Sequence, residues 1–143
     1  MRNTPLGSLL VRGLNGFAWA ATWMAMQRRA LTDLEKRAYL FPHDSWATRV
    51  AVSAFVRDIP MSPSHPSWAA LAETERGLVQ FRDRAVLILW GGRDFCFNDS
   101  FLERWRKEFP QAETHRLAEA GHYVLEDARD EVVPRIAAFL RQA

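Results

Sequence analysis

The chain has 143 residues, 48% hydrophobic and 25% charged, with 19 basic side chains against 17 acidic ones. Those proportions exclude a disordered or collagen-like chain, and at this length one folded domain buries roughly 70% of the surface its unfolded form exposes. A formal net charge of +2 is too small to imply a nucleic-acid partner, and the single cysteine, Cys96, excludes an intrachain disulfide framework and a thiolate zinc cluster.

The first 30 residues carry Arg2, Arg12, Arg28 and Arg29 and no acid. Their uncharged run, Gly13 to Gln27, has 15 residues, short of the ~20 that span a bilayer. Arg12 interrupts the charge-then-apolar order of a signal peptide, and bulky methionines flank Ala25 where cleavage needs small residues. A buried helix is expected instead, in a cytoplasmic protein without membrane association. Leu6, Leu9, Leu10, Leu14, Phe17, Ala18 and Ala21 recur at helical spacing, broken by Gly13 and Gly16, which predicts two short helices with a bend. Thr32 followed by Glu35 forms a capping box ahead of a helix over Asp33–Leu40, stopped by Pro42. A further helix is predicted from His43–Ser45, with Trp46, Val50, Ala51, Ala54 and Phe55 on one apolar face. The proline-rich stretch Ile59–Pro66 reads as an extended connector, and Trp68 to about Val79 as the next helix.

Near residue 82 the rhythm changes. Ala85–Trp90 is a continuous apolar run, the pattern of a parallel strand covered on both faces. Gly91-Gly92 ends it. A helix over Phe101–Phe109, capped by Asp99 or Ser100 and stopped by Pro110, leads to a shorter alternating strand, Glu113–Leu117. After Gly121, the residues Val132, Val133, Ile136, Ala137 and Leu140 mark a closing helix whose first turn Pro134 should distort. A βαβα order gives two parallel strands, yet two strands do not make a stable sheet. The apolar first strand therefore calls either for the rest of a larger protein or for pairing with another chain.

Ligands of open parallel sheets bind at the carboxyl ends of the strands. Asp94 stands just past the first strand and His122 just past the second, 28 residues and one crossover apart, so adjacent strands bring both to one rim. A carboxylate beside an imidazole fixes its tautomer and stabilises its protonated form. Glycines ahead of each are expected to make tight turns that aim the side chains outward. A loop-capping aspartate and a packed turn histidine are the plainer alternative, but the ordered succession of strand, glycines, Asp94, crossover, Gly121 and His122 favours the pair.

The stretch VLILWGGRDFCF…FPQAETHRLAEAGHYVLEDARDEVVPRIAAFL resembles the C-terminal end of an α/β-hydrolase-fold enzyme, with an acid in a W-G-x-x-D context and a base in A-G-H before the last helix. Asp44–Pro60 is similar to the helical cap of the haloalkane dehalogenase-like branch, and within it to the β-lactone decarboxylases of olefin biosynthesis. The resemblance implies an α/β class and a partial α/β-hydrolase fold. Residues 1–81 would be a helical cap region and 82–143 the last two parallel strands and C-terminal helix. It implies Asp94 as the orienting acid and His122 as the general base that activates water against a covalent ester. The family's nucleophile elbow is not found: no G-x-S-x-G or G-x-D-x-G occurs, and the serines lie in helical or proline-rich contexts. The expectation is a C-terminal fragment, inactive alone, that acts on an apolar small molecule once the N-terminal half of the core joins it. No cofactor and no metal are expected, since the four histidines lack ligand spacing.

Trp19 and Trp23, with Phe17, Met24 and Met26, fit either an apolar substrate tunnel or plain helical core. Phe95 and Phe97 follow the acid loop and are candidates for the pocket wall. Cys96 among them has no activating base in view. Glu126 and Asp127 suit the charge preference of a helix N-terminus, and Arg93 pairs either with Asp94 or with a neighbouring loop. Two other functions compete: a non-catalytic interaction module that keeps the cap surface, and a membrane-associating helical protein driven by residues 1–30.

Overall fold

The computed structural model describes residues 4–142, so that Arg2 of the basic N-terminal run lies outside them. The backbone groups into two compact units. One comprises the described residues up to Trp23 with Leu31–Arg76, and the other Met24–Ala30 with Gly77 onward. Residues 24–30 thus join the second unit, although in sequence they sit among the residues of the first.

The first unit is helical. Helix α1 (Pro5–Ser8) is opened by Thr4, whose hydroxyl accepts from Gly7 N at 3.1 Å, with proline at the position that needs no donor. It passes into a π-helical turn over Leu9–Gly13 before α2 (Gly16–Met24). The expected bend is made at Asn15, with φ at 53°, a left-handed conformation that a short polar side chain tolerates. Its Nδ2 donates to His43 O at 3.0 Å. Helix α3 (Asp33–Leu40) carries the full capping box: Glu35 N donates to Thr32 Oγ1 at 3.2 Å, and Thr32 N to Glu35 Oε2 at 2.7 Å. Pro42 lies in the short 3₁₀ turn Phe41–His43 that follows.

Helix α4 (Val50–Asp58) starts later than its sequence pattern predicts. Before it, Thr48 Oγ1 donates to Asp44 Oδ1 at 3.2 Å and accepts from Ser45 N at 3.0 Å. Such short polar side chains satisfy the backbone locally and compete with helix formation. The predicted apolar face is also corrected: α4 buries Val52 and Ser53, whereas Trp46, Val50 and Phe55 are exposed. Arg49, at the head of α4, gathers main-chain oxygens from two stretches. Its guanidinium donates to Arg12 O (2.7 Å), Gly13 O (3.1 Å), His43 O (2.8 Å) and Asp44 O (3.0 Å). The proline-rich connector leads to α5 (Trp68–Gly77), and His65 holds it in place, accepting from Ser67 N at 3.2 Å while its Nε2 lies 3.0 Å from Arg57 O.

The second unit has the predicted strand and helix alternation: β1 (Leu87–Gly91), α6 (Asp99–Glu108), β2 (Glu113–Leu117), α7 (Val124–Asp127) and α8 (Arg129–Gln142). The strands pair in parallel, Leu87 opposite Glu113 through Gly91 opposite Leu117. Helix α6 is capped by Asn98, which accepts from Ser100 N at 3.0 Å, rather than by Asp99 or Ser100. That leaves the Asp99 carboxylate for a two-pronged pair with Arg116 of β2 at 2.8 and 2.9 Å, and the Arg116 hydrogen bonds hold it below its ordinary pKa. Helix α8 begins at Arg129, so Pro134 lies beyond the first turn, and the helix continues through it. The core joins Leu117, Ala120, Ala128 and Val132, against which Leu89, Val124 and Ile136 pack. Fully burying side chains such as Leu102 and Val132 contributes roughly 1.5–3 kcal/mol each. Among the described residues, no helix is long and apolar enough to cross a membrane.

Candidate functional site

The second unit brings the two loop ends together. Leaving β1, Gly92 N donates to Leu117 O at 2.8 Å and Arg93 N to Ala120 O at 2.9 Å, so the loop after β1 is laced to the loop after β2. Glycine makes this approach possible. A Cβ on Gly91 would stand 2.2 Å from Gly121 O, and one on Gly121 2.6 Å from Ala25 O. No described glycine has a positive φ. The expected tight turn does form after β1, where Asp94 N donates to Gly91 O at 3.2 Å, and the glycines also allow backbone to meet backbone.

Across this seam His122 Nδ1 lies 2.9 Å from Asp94 Oδ2. The other carboxylate oxygen, Oδ1, accepts from Cys96 N at 2.7 Å and Phe97 N at 2.9 Å, which fixes the carboxyl group within its own loop. The Asp94 side chain is 10% exposed and that of His122 29%, so the acid is shielded while the imidazole reaches solvent. An ionised carboxylate only accepts, so Nδ1 carries the proton and Nε2 presents its lone pair. Among the described residues, Nε2 has no hydrogen-bond partner. An imidazole held this way can take a proton from water or from a reacting hydroxyl.

Aromatic rings surround it. Phe95 and Phe97 each have ring centroids 5.6 Å from that of His122, and Tyr123 is at 5.9 Å. Burial pushes the Tyr123 hydroxyl above its ordinary pKa, favouring the neutral ring. Trp19 and Trp23 belong to the first unit, neighbours on α2 with centroids 5.7 Å apart and Lys36 Nζ 3.8 Å from the Trp23 ring. Arg93 pairs with Glu119 of the neighbouring loop, not with Asp94. Among the described residues, no cluster of three or more His, Cys, Asp or Glu could hold a metal.

One residue that sequence reasoning treated as helix decoration has a larger part. Asp127 is buried, and its carboxylate accepts four backbone N–H groups. Oδ2 takes Gly121 N at 2.7 Å and Gln27 N at 2.9 Å, while Oδ1 takes Arg28 N at 2.9 Å and Arg29 N at 3.3 Å. Burial works to raise its pKa, but the four donors outweigh that and hold it below the ordinary carboxylate value. The same carboxylate thus binds residues 27–29 to the loop that carries His122. Arg28 and Glu131 reinforce the link with a 2.7 Å pair.

Comparison with known proteins identifies the family of the chain. A family model described as "Alpha/beta hydrolase family" matches residues 3–135. The chain is 39% identical over 141 residues to a cis-3-alkyl-4-alkyloxetan-2-one decarboxylase of Shewanella oneidensis, covering 99% of this chain and 44% of that protein. It is 40% identical, over 99% of this chain and 47% of the relative, to the protein of the same name from Xanthomonas campestris pv. campestris. The haloalkane dehalogenase DatA from Agrobacterium tumefaciens has a crystal structure that superposes with a TM-score of 0.81 at 22% identity, covering 99% of this chain and 49% of that one. The chain therefore spans about half the length of the curated relatives it matches. Its partial α/β-hydrolase fold and the reach of the family match agree, and the chain belongs to the alpha/beta hydrolase family.

Proposed function

We propose that this chain supplies the general base and its orienting acid to an α/β-hydrolase active site that acts on an apolar small molecule. His122 activates water from Nε2, and Asp94 holds the ring and stabilises the imidazolium that forms. The water cleaves an ester formed earlier between substrate and an attacking carboxylate. On this reading the attacking group comes from another part of the hydrolase core, which also covers the open side of β1, while residues 1–81 act as the cap. Phe95 and Phe97 wall the pocket beside the imidazole. The relatives' name favours a β-lactone bearing two alkyl chains over a haloalkane, given about 40% identity against 22%. The reaction needs no cofactor on this reading, and the setting is cytoplasmic.

The observation that carries this reading is the 2.9 Å approach of His122 Nδ1 to Asp94 Oδ2 beside an Nε2 that has no hydrogen-bond partner among the described residues. The test is complementation. The chain is co-expressed with the remaining part of the Shewanella oneidensis relative, and consumption of a cis-3-alkyl-4-alkyloxetan-2-one is followed by gas chromatography. Turnover that His122→Ala lowers by ~10²–10⁴ supports the assignment; turnover indifferent to that change removes it.

A non-catalytic interaction module is the second reading, favoured by the exposure of Trp19 (56%), Trp23 (57%) and Phe55 (61%). Stable complex formation in the same co-expression without any turnover would support it.

A further inference from the structure

The buried carboxylate of Asp127 is not consumed by the proposed chemistry, yet it accepts more backbone hydrogen bonds than any other side chain around the site. Its partners fall into two groups. Gly121 N, at 2.7 Å, belongs to the residue immediately before the proposed base. Gln27 N, Arg28 N and Arg29 N belong to a stretch that meets this loop again through Tyr123 N, which donates to Ala25 O at 3.0 Å. The residues on either side of His122 are therefore both fixed to residues 25–29, and on one side the fixing runs through Asp127.

We propose that Asp127 is a positioning residue for His122: its carboxylate sets the Gly121–His122 backbone so that the imidazole meets Asp94. The inference rests on the reading of His122 and Asp94 as the working pair. Its chemistry is specific to a carboxylate. Oδ2 accepts from Gly121 N and Gln27 N, and Oδ1 from Arg28 N and Arg29 N, so all four donors point at acceptor lone pairs. An asparagine offers one accepting oxygen and an NH₂ group, and in either orientation the NH₂ faces two N–H donors. With the NH₂ toward Gly121 and Gln27, the loop that carries the base is pushed off its mooring. With the NH₂ toward Arg28 and Arg29, the stretch behind it loosens instead. A residue that only held the unit together would alter stability and leave the ring of His122 in place.

The test uses the 143-residue chain, imidazole-labelled with ¹⁵N, comparing wild type with Asp127→Asn by NMR at neutral pH. The wild type should show a downfield, slowly exchanging Nδ1 proton on His122. In a folded Asp127→Asn chain that proton should exchange at least about tenfold faster, the factor expected for one charge-assisted hydrogen bond. The Cys96 and Phe97 amides bound to Asp94 should stay as they were. A folded variant with the wild-type His122 resonance intact overturns the proposal alone. A wild-type chain that lacks the resonance while Gly121 N is protected brings down the His122–Asp94 pair itself, and the proposal with it. Should the variant not fold, amide exchange in the wild type decides: protection of Gly121 and Gln27 supports the clamp, and free-peptide rates at Gly121 overturn it.

Discussion

Replacing Gly91 by alanine tests the seam on which the site is built. The added Cβ would stand 2.2 Å from Gly121 O and 2.9 Å from Ala120 O, both backbone atoms that cannot swing aside, whereas ordinary contact begins at 3.4 Å. The loops after β1 and β2 must then part by about 1 Å, typical of the backbone shifts that overpacking forces. Overpacking of this kind costs about 1–3 kcal/mol. Losing the bond from Arg93 N to Ala120 O adds about 1 kcal/mol, so a destabilisation near 3 kcal/mol is expected. The same opening stretches His122 Nδ1–Asp94 Oδ2 from 2.9 Å to beyond hydrogen-bonding distance. Urea unfolding followed by tryptophan fluorescence measures the first effect, with a midpoint lowered by about 2 M at the usual slope for a small chain. The His122 imidazole proton reports the second. Gly77→Ala is the control, because its Cβ would meet only Gln80 Nε2 at 3.5 Å, at the end of α5 where alanine is the better helix former. A Gly91→Ala chain within about 0.5 kcal/mol of wild type, with the imidazole proton retained, would refute the reasoning, since surface-like indifference cannot coexist with a 2.2 Å clash.

Four further outcomes are expected. Asp127 has a folded-state pKa held below its unfolded value, so its contribution is complete above the ordinary carboxylate value of about 4 and disappears as pH falls through the lowered one. Stability measured against pH should show an acid-side loss that is shallower in Asp127→Asn. Thr32→Ala removes the capping box of α3 and should cost about 1 kcal/mol in chemical denaturation; no measurable loss would mean that the box is idle. In the complemented enzyme, His122→Ala should leave the ester uncleaved, so intact-mass spectrometry should find substrate retained on the attacking half, and an unmodified mass with normal turnover would contradict that. Among the described residues the two-stranded sheet leaves strand edges without partners, so the chain alone should self-associate with rising concentration in light scattering; a sharply melting monomer would contradict this.

What could be read from the residues alone follows the range of the forces involved. The Thr32–Glu35 box is local in sequence and local in space, and it forms as written. The parallel strands and the meeting of Asp94 with His122 were legible because a crossover of that length returns the chain to the same rim of the sheet. Asp127 was not legible. Its donors at Gln27, Arg28 and Arg29 lie about a hundred residues away and are backbone groups, which leave no trace in side-chain pattern. An acid in that place looks the same whether it decorates a helix or moors a loop. Asn98 and Asp99 are both competent caps, and what decides between them is Arg116 on β2, which claims the aspartate. The late start of α4 reflects a similar contest, won by the hydroxyls and carboxylate of Asp44, Ser45 and Thr48.

Arg49 sets a rule for anyone who wishes to redesign the helical unit. One planar cation reads four peptide oxygens on two stretches remote in sequence, at residues 12–13 and 43–44. Lysine, with its donors on a single point, cannot span them. Those five positions consequently behave as one inherited part. Helix surfaces around them can be exchanged, and the stretches lengthened elsewhere, but a transplant that carries the arginine without its oxygens, or the oxygens without the arginine, leaves polar groups stranded on whichever side it keeps.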